Sequence, residues 1–128
     1  MIRIIALAVA LGLVLILHLS GVIKSQGLSH PFWHVQATMI GAGIGVALTV
    51  GLCWLGGRAP GVARALRWLC MLGLPVALAV TWYAAQYFIN SADYEPFAGK
   101  VWYLGYHATV ALFVTLIGTY LPRFMSRA

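Results

Sequence analysis

The chain has 128 residues, of which 62% are hydrophobic and only 8% are charged; its mean hydropathy is +0.93 and its net charge is +6. Soluble domains are about a quarter charged, so this composition excludes a soluble enzyme, a disulfide-stapled secreted module and a disordered tail. The length fits a single transmembrane domain, residues 1–128, with a lipid bilayer as its solvent.

Four apolar segments are long enough to cross a bilayer. A helix needs about 20 apolar residues to span a hydrocarbon core of about 30 Å. Four runs without Asp, Glu, Lys or Arg have this length: Ile4–Ile23, Val35–Leu55, Leu69–Ile89 and Val101–Leu121. Because every charged residue lies outside them, as the cost of burying charge in lipid requires, the sequence predicts an all-α integral membrane protein, a bundle of four transmembrane helices.

Proline and glycine mark the predicted helix boundaries. Ser29-His30-Pro31 predicts a helix that begins near Pro31, since proline is tolerated in a first turn. Gly56-Gly57 predicts the end of the second span, and Pro60-Gly61 predicts a turn in the loop that follows. Pro122 predicts the end of the fourth helix.

The distribution of basic residues predicts the orientation of the bundle. Six arginines fall on one side of the predicted membrane, whereas Lys24, Lys100, Asp93 and Glu95 fall on the other; the six are Arg3, Arg58, Arg64, Arg67, Arg123 and Arg127. By the positive-inside rule, both termini are expected in the cytoplasm, with the chain in a bacterial-type inner membrane. The positive charge is then explained by orientation and by contact with anionic lipid, and no nucleic-acid partner is expected.

Glycines and aromatic residues predict packing and anchoring. Gly41 and Gly45 form a small-xxx-small face in the second span, on which a neighbouring helix, in this chain or another, can pack closely. Tryptophans and tyrosines near the span ends are expected to anchor the protein at the membrane surfaces. At the side opposite the arginines these are Trp33, Trp82, Tyr83, Tyr87, Trp102 and Tyr103.

The four histidines form the main candidate site. His18 and His107 are five and six residues from the same predicted membrane boundary, so both lie about 8–9 Å below it at 1.5 Å per residue. Tyr103 and Gln86 are expected at a similar depth as further binding residues. His30 and His34 come from the first connection, also at the side opposite the arginines.

Three chemistries suit such a layer. His18 and His107 could ligate a b-type haem from its two faces, or donate with tyrosine to the carbonyls of a quinone. His30 and His34 could instead contribute to a copper or zinc site. A structural alternative is that these histidines only form hydrogen bonds within the bundle.

The function predicted from these residues is a small accessory or anchor subunit of a larger membrane complex, of respiratory or other redox type, with other membrane subunits as partners. One alternative is a permease or channel for a neutral solute, lined by threonine and tyrosine; another is a protein that handles copper or zinc. The sequence contains no nucleophile triad, no H-E-x-x-H and no glycine-rich phosphate loop, so catalysis by the chain itself is not expected.

Overall fold

The computed structural model describes residues 1–126 and is helical throughout, with no strand in that range. Its helices are α1 (Ile2–Leu19), α2 (Val22–Ser25), α3 (His34–Arg58), α4 (Pro60–Asn90) and α5 (Pro96–Met125). All except α2 are long and apolar enough to cross a membrane. The prediction of a four-helix membrane protein is confirmed at this level. Arg127, one of the arginines used to predict orientation, lies outside the described residues.

The first span ends earlier than predicted. α1 ends at Leu19, and Gly21 adopts the left-handed conformation with φ of 73°, which turns the chain into the short helix α2. The prediction that the span runs to Ile23 was wrong, because hydropathy does not register a change in backbone direction between two apolar residues. Glycine has no Cβ and takes this conformation at little cost.

The predicted loop between the second and third spans is helical. α3 continues through Gly56-Gly57 to Arg58, and α4 begins at Pro60, so Ala59 alone connects the two helices. Ala59 has φ of −139° and ψ of 73°, in keeping with the exclusion of helical geometry before a proline. α4 thus begins before the predicted start at Leu69, because arginine limits a membrane span but does not break a helix.

The remaining boundaries also differ. α3 begins at His34 rather than near Pro31, after a turn formed by residues 31–33. α5 begins at Pro96, where the Glu95 carboxylate accepts a hydrogen bond from the Ala98 amide at 2.7 Å. Pro122 lies within α5, which continues to Met125, so the predicted stop at this proline was wrong. Proline lacks an amide donor, but its carbonyl still accepts from the Ser126 amide at 3.1 Å.

α5 is the central helix of the bundle. It packs against α1, α3 and α4, whereas α1 and α4 make no contact with each other. Gly41 and Gly45 lie on the α3 face that packs on α5. A Cβ at Gly45 would lie 2.7 Å from the Ala111 carbonyl oxygen and 2.7 Å from Val114 Cβ. The neighbour that approaches these glycines is therefore another helix of the same chain.

Candidate functional site

Two polar ends define the bundle. We call the end that carries His18, His34 and His107 the histidine end, and the opposite end, where Arg3, Arg67 and Arg123 lie, the arginine end. At the histidine end, His18 in the last turn of α1 stacks against His34, the first residue of α3, with ring centroids 5.1 Å apart and planes inclined by 22°. The ring partner of His18 is therefore contributed by the start of α3.

Thr38 links these histidines to α5. Its hydroxyl donates to the His34 carbonyl at 2.7 Å and lies 2.7 Å from the Tyr106 hydroxyl, which must be the donor because the threonine proton is already used. His18 Nδ1 lies 3.5 Å from the same Thr38 oxygen. His18, Thr38 and Tyr106 thus lie at one level of the bundle, on three helices.

His107 is next to Tyr106 but has different partners. It is buried, its Nδ1 donates to the Tyr103 carbonyl at 2.7 Å, and the Tyr103 ring stands edge-on with its centroid 4.3 Å away. Within residues 1–126, no hydrogen bond or ring contact joins His107 to His18.

The protonation of two rings follows from their partners. His34 Nδ1 lies 3.1 Å from the carbonyl oxygens of His30 and Pro31, and a carbonyl can only accept. His34 and His107 therefore carry the proton on Nδ1 when neutral. The free Nε2 atom of each ring can then accept a hydrogen bond or ligate a metal.

His30 belongs to an aromatic cluster formed with Trp33, Phe88 and Trp102. Its ring stacks on Trp33 with centroids 5.2 Å apart and meets Trp102 edge-on at 5.1 Å. A cleft of about 430 Å³ opens beside this cluster. Trp102 is buried, and its indole N–H donates to the Leu28 carbonyl at 2.8 Å. The prediction that Trp102 is an interfacial anchor was wrong, since periodicity alone does not tell which aromatic residues face a neighbouring helix.

The setting of His30 predicts a dependence of stability on pH. Desolvation lowers the pKa of His30 below its ordinary value of 6.5; in addition, the neutral Nδ1 accepts from the Phe32 amide at 3.2 Å. The unfolded chain then binds this proton more readily, so the contribution is complete above about pH 6.5 and is lost as the pH falls through the lower folded value. Unfolding free energy measured from about pH 7.5 to about pH 5 should fall, and more steeply than in His30→Phe. Equal slopes would contradict this assignment.

Gln86 forms no hydrogen bond with the other predicted binding residues within residues 1–126. A Cβ at Gly27 would meet the Gln86 amide nitrogen at 3.3 Å, so this side chain faces the turn after α2. For the copper or zinc site predicted at His30 and His34, the structure adds no further ligand. Residues 1–126 contain no group of three or more His, Cys, Asp or Glu side chains that could hold an ion.

A lateral cavity lies next to the hydrogen-bonded layer. α1 and α4 both pack on α5 but do not contact each other, and between them lies a space of about 390 Å³ that α2 bounds at the histidine end. The accessible wall of this cavity is apolar. It is formed by side chains such as Leu17, Ile23, Leu78 and Phe113, together with the ring of Tyr106.

The buried threonines are used in packing. The hydroxyls of Thr49, Thr115 and Thr119 donate to carbonyls four residues earlier in their own helices, at 2.7–2.8 Å. Thr49 also packs against the backbone of α5, because a Cβ at Gly118 would lie 2.7 Å from its methyl carbon. These three hydroxyls therefore use their protons within their own helices.

The sequence did not predict the contact between Thr38 and Tyr106. Tyr106 is separated from Thr38 by 68 positions, and only the packing of α5 on α3 brings them together. A partial signal was present, because Tyr106 and Val110 share one face of α5 at a spacing of four. Nothing in the chain pointed to Thr38.

The fold and this layer define an all-helical, multi-pass membrane protein with a polar cluster at one end. Comparison with protein families, with curated proteins and with solved structures finds no match to the chain.

Proposed function

We propose that the chain is a small accessory or anchor subunit of a larger redox complex in a bacterial-type inner membrane, and that it binds a quinone at the histidine end. The quinone chain would occupy the lateral cavity, and its ring would lie near Tyr106. The observation that carries this proposal is the position of Tyr106, whose ring forms part of the apolar wall while its hydroxyl belongs to the layer with Thr38 and His18.

The cavity has a suitable size and character for such a ligand. A dry cavity of about 150 Å³ suffices for benzene, so about 390 Å³ accommodates a ring or a length of isoprenoid chain. Its apolar wall would exclude a strongly polar solute.

A haem between His18 and His107 is the second form of the redox proposal. Axial ligation by two histidines requires their rings on opposite faces of one iron. The stacking of His18 on His34 favours the quinone, because this ring is already packed against a neighbour on its own side. A Soret band in the purified protein that is lost in both His18→Ala and His107→Ala would favour the haem instead.

Quinone binding can be tested with a cavity-filling variant. Decylubiquinone should quench the tryptophan fluorescence of the purified protein, because Trp33 contacts the Tyr106 ring, with centroids 5.8 Å apart. Leu74→Trp should abolish specific binding by filling the cavity, whereas Leu72→Trp, at an exposed position on the same helix, should leave it unchanged. Binding titrations by calorimetry would report both variants without relying on fluorescence.

Tyr106→Phe tests the polar contact separately. On binding, the Tyr106 hydroxyl would turn its proton from Thr38 to a quinone carbonyl. Tyr106→Phe removes this donor, and because one hydrogen bond is worth about 0.5–1.5 kcal/mol, affinity should fall by about two- to tenfold. Folding should be retained, since Thr38 still donates to the His34 carbonyl. Quinone binding that is equal in the wild type, Leu74→Trp and Tyr106→Phe would contradict the site.

The accessory role and the orientation have independent tests. Copurification of the chain from its native membrane with larger subunits would support the accessory role even if no quinone binds. The excess of arginine at one end supports cytoplasmic termini. A reporter at either terminus that is accessible only from the periplasm would contradict this orientation.

A further inference from the structure

The arginine end contains a second polar site, separate from the histidines. Arg3 of α1, Arg67 of α4 and Arg123 of α5 line one cavity of about 520 Å³, which the last turns of α3 close on another side. Three cations from three helices therefore converge on one space. An anion among them would relieve their mutual repulsion.

Arg67 is the residue that distinguishes this cavity from a solvated basic surface. It lies about two turns into α4 and is only 6% exposed. Its Nε atom is buried and has no hydrogen-bond partner within residues 1–126. Burying a guanidinium N–H without an acceptor is costly.

The described part of the chain supplies no anion to balance Arg67. Asp93 and Glu95 are the only acidic side chains of the protein, and both lie in the connection between α4 and α5 at the histidine end. Gly56, in contrast, leaves room for the guanidinium, since even a Cβ there would stay 3.9 Å from Arg67 Nη1. The missing acceptor must come from outside this part of the chain.

We propose that the cavity binds a phosphate group, with Arg67 as its buried donor and with Arg3 and Arg123 at its rim. The planar fork of arginine matches the oxygens of a phosphate and can bind two of them at once. A phosphate can come from the headgroup of an anionic phospholipid or from free phosphate. The cavity lies where four membrane helices reach one membrane surface, a position at which either source has access.

The test compares Arg67→Met with Arg64→Gln in neutral detergent. Arg64 is exposed on the same helix and does not line the cavity. Arg64→Gln therefore removes the same charge without changing the lining of the site. Wild-type protein in neutral detergent should be stabilised against heat by phosphatidylglycerol and not by phosphatidylcholine. In Arg67→Met the half-saturating phosphatidylglycerol concentration should rise at least about tenfold, and in Arg64→Gln less than about twofold.

A second measurement separates a binding role from a purely structural one. Without any phosphate ligand, Arg67→Met should be at least as stable as the wild type, because it removes an unpaired buried charge. If Arg67→Met does not fold, Arg123→Gln supplies the comparison, since it changes the rim of the same cavity and should also weaken binding.

The source of the phosphate is read from a parallel titration with inorganic phosphate. Stabilisation of the wild type by inorganic phosphate, with the same dependence on Arg67, would identify a site for free phosphate. Stabilisation by phosphatidylglycerol alone would identify a lipid headgroup site. The proposal would be overturned if neither ligand acts, or if Arg64→Gln weakens binding as much as the cavity variants, because the effect would then be that of general surface charge.

Discussion

Trp102→Ala is expected to lower the free energy of unfolding by about 3–5 kcal/mol, the range found for truncating a large buried aromatic residue. Trp102 is only 3% exposed and packs between α4 and the connection that precedes α3. Its removal leaves a cavity against Ala84, Ala85 and Phe88. It also leaves the Leu28 carbonyl without its donor.

Trp82→Ala is the matched control for this effect. Trp82 lies near the same end of the bundle, on α4, but it is 51% exposed and faces away from the other helices. Its truncation should cost less than about 1 kcal/mol in a bilayer-mimicking micelle, because lipid or detergent takes its place. Unfolding should be followed by circular dichroism, which does not depend on the tryptophans removed. Equal losses in the two variants would contradict the core position of Trp102.

Gly45→Leu is expected to disrupt the packing of α3 on α5, with a loss of more than about 3 kcal/mol or a failure to fold, since overpacking by smaller groups already costs about 1–3 kcal/mol. Even the first carbon of the new side chain would overlap the Ala111 carbonyl and Val114. These are backbone and buried side-chain atoms of the central helix, so neither can move without displacing α5.

Gly43, two residues before Gly45 in α3, is the control position for Gly45→Leu. No atom lies within 4 Å of a Cβ at this position, so Gly43→Leu faces open space. We expect it to be neutral or to stabilise by up to about 1 kcal/mol through its higher helix propensity. Denaturing-detergent titrations of both variants measure the difference. A neutral Gly45→Leu would show that α3 and α5 are not in direct contact here.

The two ends of the bundle differ in how their polar groups are satisfied. At the histidine end, Thr38 and Tyr106 bond to each other, and carbonyls take the Nδ1 protons of His34 and His107. At the arginine end, Arg67 Nε remains without an acceptor in the described residues. At the histidine end these donors have acceptors within the chain, whereas at the arginine end a buried donor calls for an anion. The quinone and phosphate proposals are thus independent, and the failure of one leaves the other standing.

The candidate site was predictable only in part. The concentration of histidines at one end was visible in the sequence, and so was the depth shared by His18 and the region of His107, because a uniform rise per residue converts position into depth. Which partner each ring has was not visible. His18 meets His34 because Gly21 turns the chain and residues 31–33 form a further turn before α3. Neither turn follows from hydropathy.

The sequence by itself determined the solvent and the number of long helices. Lipid tolerates charge so poorly that four stretches without it identify four helices, whatever their packing. Only the tertiary structure decided that α5 is central, that Trp102 is core rather than anchor, and that Arg67 is buried. In lipid the outward faces of the helices are apolar as well as the inward ones, so hydrophobicity no longer distinguishes inside from outside. The contact faces are set by close packing between small residues such as Gly41 and Gly45 and the side chains opposite them.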